Sequence, residues 1–351
     1  MKIDFRLLEI PFKVSFKHNS ASRKVTSTIW VEISRGEFVG IGEGCPRSYV
    51  TGESEESCVA FISDRKESFL KIENYQLLLV WRQSNISDIE NNPAAWCAIE
   101  LAFLDLFAQE TNQSINELIG EMYIPQVLEY SAVLGDSSPG VWEKLCDWHF
   151  TNEMSNFKLK LNGDLLLDSD RIKYILSKNS QAEVRIDANN MWNDKSEAIN
   201  YLNQLPKEIC GVEEPLTCPN WEGINSLSAE LAYPVILDEH VFRLSDLMEV
   251  KNPEKTIVNL RVSKCGGLIN SIQMGKSAIE LGMRVIVGAQ VGETSALTKA
   301  GFLLSSALSH EPIAHEGGYG MLLLESDPFR EYYQLGKQGK IIFSLPQPLI
   351  Q

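Results

Sequence analysis

The sequence predicts an α/β fold, a (β/α)8-type barrel that follows an N-terminal α+β domain. Three observations support this prediction. From about Pro125 onward, short β-rich runs alternate strictly with amphipathic helices. Before about Met122, strands come first and helices follow. Three of the later predicted strands end in an acidic residue, at intervals of roughly 25 residues, which is about one βα unit.

The N-terminal region, residues 1–122, is predicted to be an α+β domain. Residues 2–16 and 25–34 alternate polar and apolar side chains like half-buried antiparallel strands, and a turn at 35–37 leads into a third strand over 38–43. Residues 55–72 and 92–110 have apolar residues at helical spacing.

Residues 123–317 are predicted to form the barrel, because alternating strands and helices build right-handed βαβ units with a parallel sheet. The predicted strands cover 128–134, 157–161, 183–187, 211–214, 235–238, 256–260, 284–288 and 313–315. The predicted helices between them include 164–177, 194–205, 268–281 and 293–308. A doubly wound sheet is the alternative, but no GxGxxG motif follows any predicted strand. Residues 318–351 are expected to pack back on the N-terminal domain.

Composition and charge exclude several classes of function. The chain has 351 residues, of which 44% are hydrophobic and 23% charged, with a formal net charge of −15. Nucleic acid and anionic membranes would repel such a chain. No segment approaches the roughly 20 apolar residues of a membrane span, and the N-terminus lacks the apolar core of a signal peptide. The seven cysteines contain no CxxC pair, which is typical of a reducing compartment, so we expect a cytoplasmic protein.

The three strand-end acids are candidate metal ligands. Asp187, Glu213 and Asp238 would project into one barrel mouth, where three uncompensated carboxylates could not all stay ionised. A hard dication resolves this repulsion, and Mg²⁺ suits oxygen ligands while leaving positions for substrate oxygens. Mn²⁺ prefers the same ligands. The alternative is that each acid merely caps the next helix. Candidate supporting residues or alternative ligands are Asn189, Glu214 and Glu239.

Two lysines alternate on one predicted strand. Lys158 and Lys160 therefore face the same side, and in the second barrel strand that side can be the interior. Burial and mutual repulsion would both lower the pKa of Lys160, which suits a general base. A solvated edge-strand pair is the alternative.

A third lysine follows the sixth predicted barrel strand. Lys264 stands in the segment SKCGG, and strand six lies across the barrel from strand two. Lys160 and Lys264 could thus approach opposite faces of one bound carbon. The two glycines permit a tight turn before the next helix.

These motifs together resemble the enolase superfamily, muconate-lactonizing subgroup, over nearly the whole chain. GIGEGCP, TGE and AIELAFLDLFAQ resemble its capping domain. KLK resembles the base motif, with Lys160 as the base and Lys158 assisting, and SKCGG resembles the segment that carries the second acid/base, here Lys264. DAN, EEP and DE resemble the three metal-ligand motifs, which carries metal binding to Asp187, Glu213 and Asp238.

The resemblance implies proton abstraction next to a carboxylate, through an enediolate that Mg²⁺ stabilises. Reprotonation from the other face gives an epimerase or racemase, loss of water an o-succinylbenzoate synthase, and ring opening a cycloisomerase. We expect an epimerase or racemase of a small amino-acid derivative or dipeptide, with the lyase and cycloisomerase outcomes as alternatives. A non-catalytic binding protein is a remote alternative, because all five principal positions are intact.

Candidate substrate-binding residues lie in the capping loops, predicted at 16–23 and 46–53, and at the later strand ends. They are Arg23, Arg47, Tyr49, Gln290, Glu293 and Glu316. YVTGE resembles dipeptide epimerases, which usually carry Asp-x-Asp after the eighth strand, whereas this chain has Ala-His-Glu-Gly at 314–317. The expected partner is a small carboxylate substrate, and a homo-oligomer is expected because barrel proteins commonly associate.

Overall fold

The computed structural model describes residues 1–18, 21–121, 127–328 and 333–343. The N-terminal region is an α+β unit, as predicted, in which helices pack on an antiparallel three-stranded sheet. The strands are β1 (Lys2–His18), β2 (Ala21–Arg35) and β3 (Phe38–Gly44). The helices are α1 (Glu55–Phe69), α2 (Tyr75–Ser84), α3 (Ile86–Asn91), α4 (Pro93–Thr111) and α5 (Ile115–Ile119).

Helix α4 lies directly against β3 because alternate residues of that strand are glycines. A Cβ atom added at Gly40, Gly42 or Gly44 would lie 2.1, 2.0 or 1.9 Å from a carbonyl oxygen of α4. Pro93 occupies the first turn, where a missing N–H is tolerated, and most of the helix is buried. The glycine stripe thus sets the close contact between helix and sheet that holds this region together.

The second region is a curled sheet of seven parallel strands in the order β5-β6-β7-β8-β9-β10-β11. Its strands are β5 (Ala132–Leu134), β6 (Asn156–Lys160), β7 (Glu183–Asp187), β8 (Ile209–Glu213), β9 (Val235–Leu237), β10 (Thr256–Leu260) and β11 (Arg284–Val287). Between or after them lie α6 (Pro139–Thr151), α7 (Leu165–Lys178), α8 (Lys195–Leu202), α9 (Trp221–Glu230), α10 (Leu268–Glu280) and α11 (Ser295–Ala307). Short 3-10 turns cover Leu244–Glu249 and Pro253–Lys255. The strand interiors are almost wholly buried, as expected for a parallel sheet covered on both faces.

A single residue takes the place of the eighth barrel strand. His315 forms parallel bridges to Val287 at the end of β11 and to Tyr130, just before β5. The His315 carbonyl accepts the amide of Ser131 at 2.8 Å, and the amide of Glu316 donates to Val287 at 2.9 Å. These bridges join the two edge strands, so the sheet closes as a TIM-type barrel and the predicted fold class is confirmed.

Some predicted elements differ from those observed. The predicted strand 128–134 is split into β4 (Val127–Glu129), which joins a small C-terminal sheet, and β5, which belongs to the barrel. The predicted strand 313–315 is reduced to the two isolated bridges of His315. The predicted loop 16–23 is mostly hairpin, since β1 and β2 extend to His18 and from Ala21.

The C-terminal segment returns to β1. It comprises α12 (Tyr319–Leu322), β12 (Tyr333–Leu335), a 3-10 turn (Lys337–Gly339) and β13 (Lys340–Phe343). Phe12 bridges Leu324, and the amide of Glu325 donates to Pro11 at 3.0 Å. Among the described residues, no helix combines the length and apolarity that crossing a bilayer requires.

Candidate active site

The carboxyl ends of the barrel strands bring the predicted acids and lysines together. In the sheet register Lys160 is paired with Asp187, and Asp187 with Glu213, on three adjacent strands. Asp238 follows β9, the next strand along. Asp187, Glu213 and Asp238 are each at most 1% exposed. Three carboxylates that are buried this deeply require cationic compensation.

Lys158 supplies much of that compensation. Its Nζ lies 2.7 Å from the Glu213 carboxylate, 3.1 Å from Glu316 and 3.3 Å from Asp187. Burial opposes the ammonium charge, but the attraction of Glu213, Glu316 and Asp187 outweighs it and raises the pKa of Lys158. Lys158 is therefore a fixed cation. It is unsuited to accept a proton and suited to hold its neighbours in place.

Lys160 has a different environment two residues along the same face of β6. Its Nζ donates to Asn189 Oδ1 at 3.0 Å and lies 3.7 Å from Asp187. Burial lowers the pKa of Lys160, and the nearby Lys158 ammonium lowers it further, against the pull of Asp187. The same strand thus holds one lysine in its charged form and moves the other toward a neutral base.

Lys264 is fully buried behind Asp238. Its Nζ donates to Asp238 Oδ1 at 2.7 Å, to the Asp238 carbonyl at 2.6 Å and to the Asn259 carbonyl at 2.8 Å. Burial lowers the pKa of Lys264 to about 8. Such a pKa lies near neutrality, where an amine can both accept and donate a proton.

Glu214 and His240 support the third carboxylate. Glu214 Oε1 accepts the backbone amides of Asp238 and His240, and its Oε2 lies 2.6 Å from His240 Nδ1. The amide of Asn220 donates to His240 Nε2, so Nδ1 carries the proton that Glu214 accepts. This buried pair fixes the loop after β9.

Asn189 and Glu239 lie closer to the pocket. The Asn189 amide donates to Asp187 Oδ1 at 3.0 Å, while its side chain accepts from Lys160. Glu239 lines the pocket, and burial together with repulsion from Glu214 and Asp187 raises its pKa to about 8. Within the described part of the chain, Glu239 Oε2 has no hydrogen-bond partner. It can therefore act as an additional oxygen ligand.

The pocket opens between these charged groups and a small aliphatic wall. Tyr49 of the N-terminal region lines it, together with Val133, Ala289 and Val291. The predicted contact by Tyr49 is thus compatible with its position. The Arg23 side chain, which was also predicted to meet substrate, lies outside the described residues.

Arg47 does not line the pocket. Its side chain is 1% exposed and donates to the carbonyls of Ser27 and Pro46, to Thr26 Oγ1 and to the Val291 carbonyl at 2.6 Å. The guanidinium therefore ties the N-terminal sheet to the loop after β11. All four hydrogen bonds of Nη1 and Nη2 go to protein oxygens, whereas Nε has no partner among the described residues. This favours a structural role over the substrate contact that the sequence suggested.

Gln290 and Glu293 lie behind the pocket wall. Gln290 is 1% exposed, and its Oε1 accepts from Arg261 Nη1 at 3.0 Å. Glu293 is 5% exposed and accepts the Gln290 amide at 2.9 Å. Burial and the nearby Glu43 carboxylate raise the pKa of Glu293. Both side chains shape the loop after β11 and reach a ligand only through Arg261.

Glu316 lines the pocket, but two cations already bind its carboxylate. Oε1 accepts from Arg185 Nη1 at 3.0 Å, and Oε2 accepts from Lys158 at 3.1 Å. Burial would raise the pKa of Glu316, but Lys158 and Arg185 outweigh it and lower that pKa. The predicted anchor for a substrate ammonium is therefore an internally neutralised carboxylate.

Comparison with known proteins shows the family to which this chain belongs. The profile of the enolase C-terminal domain-like family matches residues 146–336, more than half of the chain. The chain belongs to the enolase superfamily. Its relatives fall in the branch of this superfamily that contains mandelate racemase and muconate-lactonizing enzyme, as the motifs predicted.

Several relatives of this superfamily member are epimerases and racemases. The L-amino acid-D/L-Glu epimerase of Sulfurimonas denitrificans is 25% identical over 285 residues, which cover 81% of each chain. The dipeptide epimerase of Enterococcus faecalis, solved with Mg and L-Leu-L-Tyr, superimposes with a TM-score of 0.82 at 22% identity, over 99% of this chain and 98% of the other. The N-succinyl Arg/Lys racemase of Bacillus cereus gives a TM-score of 0.83 at 21% identity, over 99% and 93%.

The donor set of this enolase-superfamily member fits a divalent cation. Asp187, Glu213 and Asp238 supply buried carboxylate oxygens, the ligand type that Mg²⁺ prefers. Two of those oxygens, Glu213 Oε2 and Asp238 Oδ2, contact cations but accept no well-directed hydrogen bond within the described residues. As placed, however, no group of three acidic, histidine or cysteine side chains in the described ranges is disposed to hold an ion. Instead, basic side chains contact these carboxylates and balance their negative charge.

Two of these basic side chains, Arg185 and Arg261, were not predicted from the sequence to lie in the site. Arg185 lies on β7, two residues before Asp187, and the same alternation that places Lys158 inside the barrel places it there too. Arg261 follows β10, and its Nη2 contacts Asp238 Oδ2. The alternation of side chains along β7 could have revealed Arg185. The orientation of Arg261 depends on the turn after β10, which has no such pattern.

Proposed function

We propose that this enolase-superfamily member is an Mg²⁺-dependent epimerase or racemase that acts at the carbon next to the carboxylate of a small amino-acid derivative. The observation that carries the proposal is the disposition of the lysines. Lys160 contacts Asp187 at the end of β7 and Lys264 contacts Asp238 after β9, and burial lowers the pKa of both lysines. Two bases on opposite sides of one carbon are what inversion at that carbon requires.

We assign the metal to Asp187, Glu213 and Asp238, with Mg²⁺ as the ion and Mn²⁺ as a substitute of the same ligand preference. When bound, the ion neutralises negative charge on the substrate carboxylate as the neighbouring proton leaves. Lys160, which lines the pocket, takes the proton from one face of the carbon. Lys264 must turn from Asp238 toward the pocket to return a proton to the other face.

Lys158 takes no proton in this scheme. Its contacts with three carboxylates keep it charged, and that charge favours the neutral form of Lys160. Asn189 accepts from Lys160 at 3.0 Å and so orients its amine. The relatives that act on dipeptides and on N-succinylated amino acids support an amino-acid derivative as the substrate.

We extend the proposal to the organisation of the chain. Residues 1–122 form the cap, 123–317 the barrel, and 318–351 a segment that returns to the cap.

All seven cysteines are unpaired, which supports a cytoplasmic location. Exposed Val141, Leu145 and Trp148 on α6 support self-association, which light scattering after size exclusion will measure.

The test of the activity is deuterium incorporation at the α-carbon. Purified protein is incubated with Mg²⁺ in D₂O against pooled dipeptides and N-acylamino acids, and mass spectrometry reads exchange while chiral chromatography reads inversion. We expect exchange with inversion that stops on addition of EDTA and returns with excess Mg²⁺. Lys160→Met is the matched inactive control. Exchange that persists in EDTA would contradict the metal assignment, and absence of exchange in every pool would contradict the epimerase assignment in favour of dehydration or ring opening.

A further inference from the structure

The turn that carries Lys264 is held by a hydrogen bond from the cap. This turn, residues 261–267, follows β10 and is closed by backbone hydrogen bonds within itself. Ser263, the residue directly before Lys264, is 1% exposed. Its Oγ accepts the backbone amide of Cys45, which belongs to the cap, at 2.8 Å. One buried hydrogen bond thus joins the cap to the neighbour of a proposed base.

The same hydrogen bond lies at the start of the loop that reaches the pocket. The pairing of β2 with β3 ends at Gly44, so the chain leaves the cap sheet at Cys45. Tyr49, which lines the pocket, follows in the same loop. The loop is compact, because two of its later amides donate to the Arg47 carbonyl at 2.8 and 3.0 Å. The contact with Ser263 therefore fixes the pocket loop and the turn after β10 relative to each other.

A second contact brings the cap against this turn. Gly266 has a φ of 74°, and a Cβ atom there would lie 3.1 Å from Ile89 Cγ2 and 3.7 Å from Pro93 Cβ. Such close packing restricts the backbone of the turn. In the proposed function Lys264 turns from Asp238 toward the pocket, and a fixed backbone confines that movement to the side chain.

The backbone of Lys160 is held in another way. Lys160 lies within β6, which is paired with β5 on one side and with β7 on the other. The barrel sheet therefore fixes this base, whereas contacts from the cap fix the turn that carries Lys264. Loss of the hydrogen bond between Cys45 and Ser263 should then disturb one base and spare the other.

We propose that Ser263 is a positioning residue, through which the cap fixes the backbone of Lys264 relative to the loop that carries Tyr49. Its effect falls on the face of the substrate carbon that Lys264 serves. Misplacement of a reacting group by about 1 Å can reduce a rate by about 10²-fold. This inference rests on the proposed function, because it requires a separate base for each face.

The experiment compares Ser263→Ala, which removes the acceptor, with the matched control Ser306→Ala. Ser306 lies in α11, is also 1% exposed, and its Oγ accepts from the Asn116 side chain of the cap at 2.8 Å. Both variants thus lose a buried hydrogen bond between cap and barrel, but Ser306 is not adjacent in the chain to a proposed base. Each purified enantiomer of an exchanging substrate is incubated with Mg²⁺ in D₂O, and mass spectrometry gives kcat and KM for exchange at the α-carbon. The variant Lys160→Ala identifies the enantiomer that Lys264 serves.

We expect Ser263→Ala to lower kcat for that enantiomer at least about tenfold more than kcat for the other, which corresponds to about 1.4 kcal/mol. Ser306→Ala should change the two kcat values by the same factor. Ser263→Cys keeps a weak acceptor, so it should give a smaller difference in the same direction. It also provides the test if Ser263→Ala does not fold.

A second readout is independent of turnover. Amide hydrogen exchange, measured by mass spectrometry of peptic fragments, should be faster in Ser263→Ala than in the wild type over both 45–53 and 261–269. The hydrogen bond joins these two segments, so its loss should loosen both. Ser306→Ala should leave the exchange of both segments unchanged.

The outcomes separate this role from the proposed function. An equal loss of kcat for both enantiomers, or no loss for either, overturns the positioning role of Ser263 and leaves the epimerase intact. Unchanged amide exchange in both segments of Ser263→Ala overturns it as well. No exchange of either enantiomer by the wild type overturns the proposed function, and the role of Ser263 with it.

Discussion

Glu100, in the middle of α4, caps the first turn of α10 at Gly267. Its Oε1 accepts the amide of Ile269 at 3.0 Å, and a Cβ atom at Gly267 would lie 2.3 Å from that same oxygen. The long helix of the cap therefore reaches into the turn that carries Lys264. The position of a catalytic candidate in the barrel depends on a carboxylate from the other region of the chain.

Gly267→Ala should destabilise the protein through both backbone and contact. Gly267 has a φ of 95° and a ψ of 176°, a conformation that is almost restricted to glycine and is unfavourable for an L-residue by about 1–3 kcal/mol. The contact with Glu100 adds to this, so we expect a decrease in the free energy of unfolding of about 3 kcal/mol or more. Gly282→Ala is the matched control, because its φ is 92° and no atom lies within 4 Å of the added Cβ. Equal losses in the two variants on urea titration would show that the Glu100 contact contributes nothing.

Glu43→Gln should change how stability depends on pH. Glu43 lies at the end of β3 and accepts from the amide and hydroxyl of Thr294 at the start of α11. Burial raises its pKa to about 7, from a model-peptide value of 4.5. A carboxyl whose folded pKa is raised stabilises the fold at low pH, and that contribution is lost as pH rises through the interval from 4.5 to about 7.

The glutamine variant has no such loss, because it cannot ionise. The difference in melting temperature, variant minus wild type, should therefore become more positive between pH 5 and pH 8, as measured by differential scanning calorimetry. A difference that is constant over this range would mean that Glu43 does not titrate there. Glu67→Gln, at an exposed position of α1, is the control.

Lys160→Ala and Lys264→Ala should each block exchange from one face of the substrate. Loss of a positioned acid or base reduces the rate by about 10² to 10⁴-fold. Each variant should exchange the enantiomer that the remaining lysine serves, and the two preferences should be opposite. Mass spectrometry of each purified enantiomer in D₂O measures this. Full exchange of either enantiomer by the double variant would exclude lysine bases.

Asp187→Asn and Asp238→Asn should weaken Mg²⁺ binding and leave the fold largely intact. We expect a loss of at least about tenfold in affinity, since even groups that only orient metal ligands contribute about 10–100-fold. Calorimetric titration with Mg²⁺ gives the affinity, and circular dichroism the fold. Asp147→Asn, on the exposed part of α6, should bind as the wild type does. Unchanged affinity in either buried variant would refute its assignment as a ligand.

Arg47→Met should reduce stability more than substrate affinity. The buried guanidinium donates to three carbonyls and one hydroxyl, and each of these acceptors that the variant leaves unsatisfied costs about 1–3 kcal/mol. We expect a lower melting temperature with KM within about twofold of the wild type for the substrate that exchanges. A large rise in KM at unchanged melting temperature would restore the substrate contact first suggested for Arg47.

Much of the architecture could be predicted because it depends on local periodicity. The alternation of side chains in KLK places both lysines on one face of a strand. The spacing of Asp187, Glu213 and Asp238 places them at one end of the barrel, provided that the strands are parallel and consecutive. The predicted bounds of strands were wrong where pairing with distant strands outweighed the local sequence pattern. The predicted strand 128–134 divides between two sheets, and the last barrel strand is reduced to a single bridging residue, His315.

The sequence by itself determined the fold class, the cap and barrel arrangement, and which acids and lysines lie at one end of the barrel. Only the tertiary structure decided how those charges are paired. Lys158 and Arg185 neutralise Glu316, and Arg261 contacts Asp238. Arg47 is buried, and it links the N-terminal sheet to the loop after β11. These pairings join residues far apart in the chain, and their energy depends on distance and burial that no local pattern records.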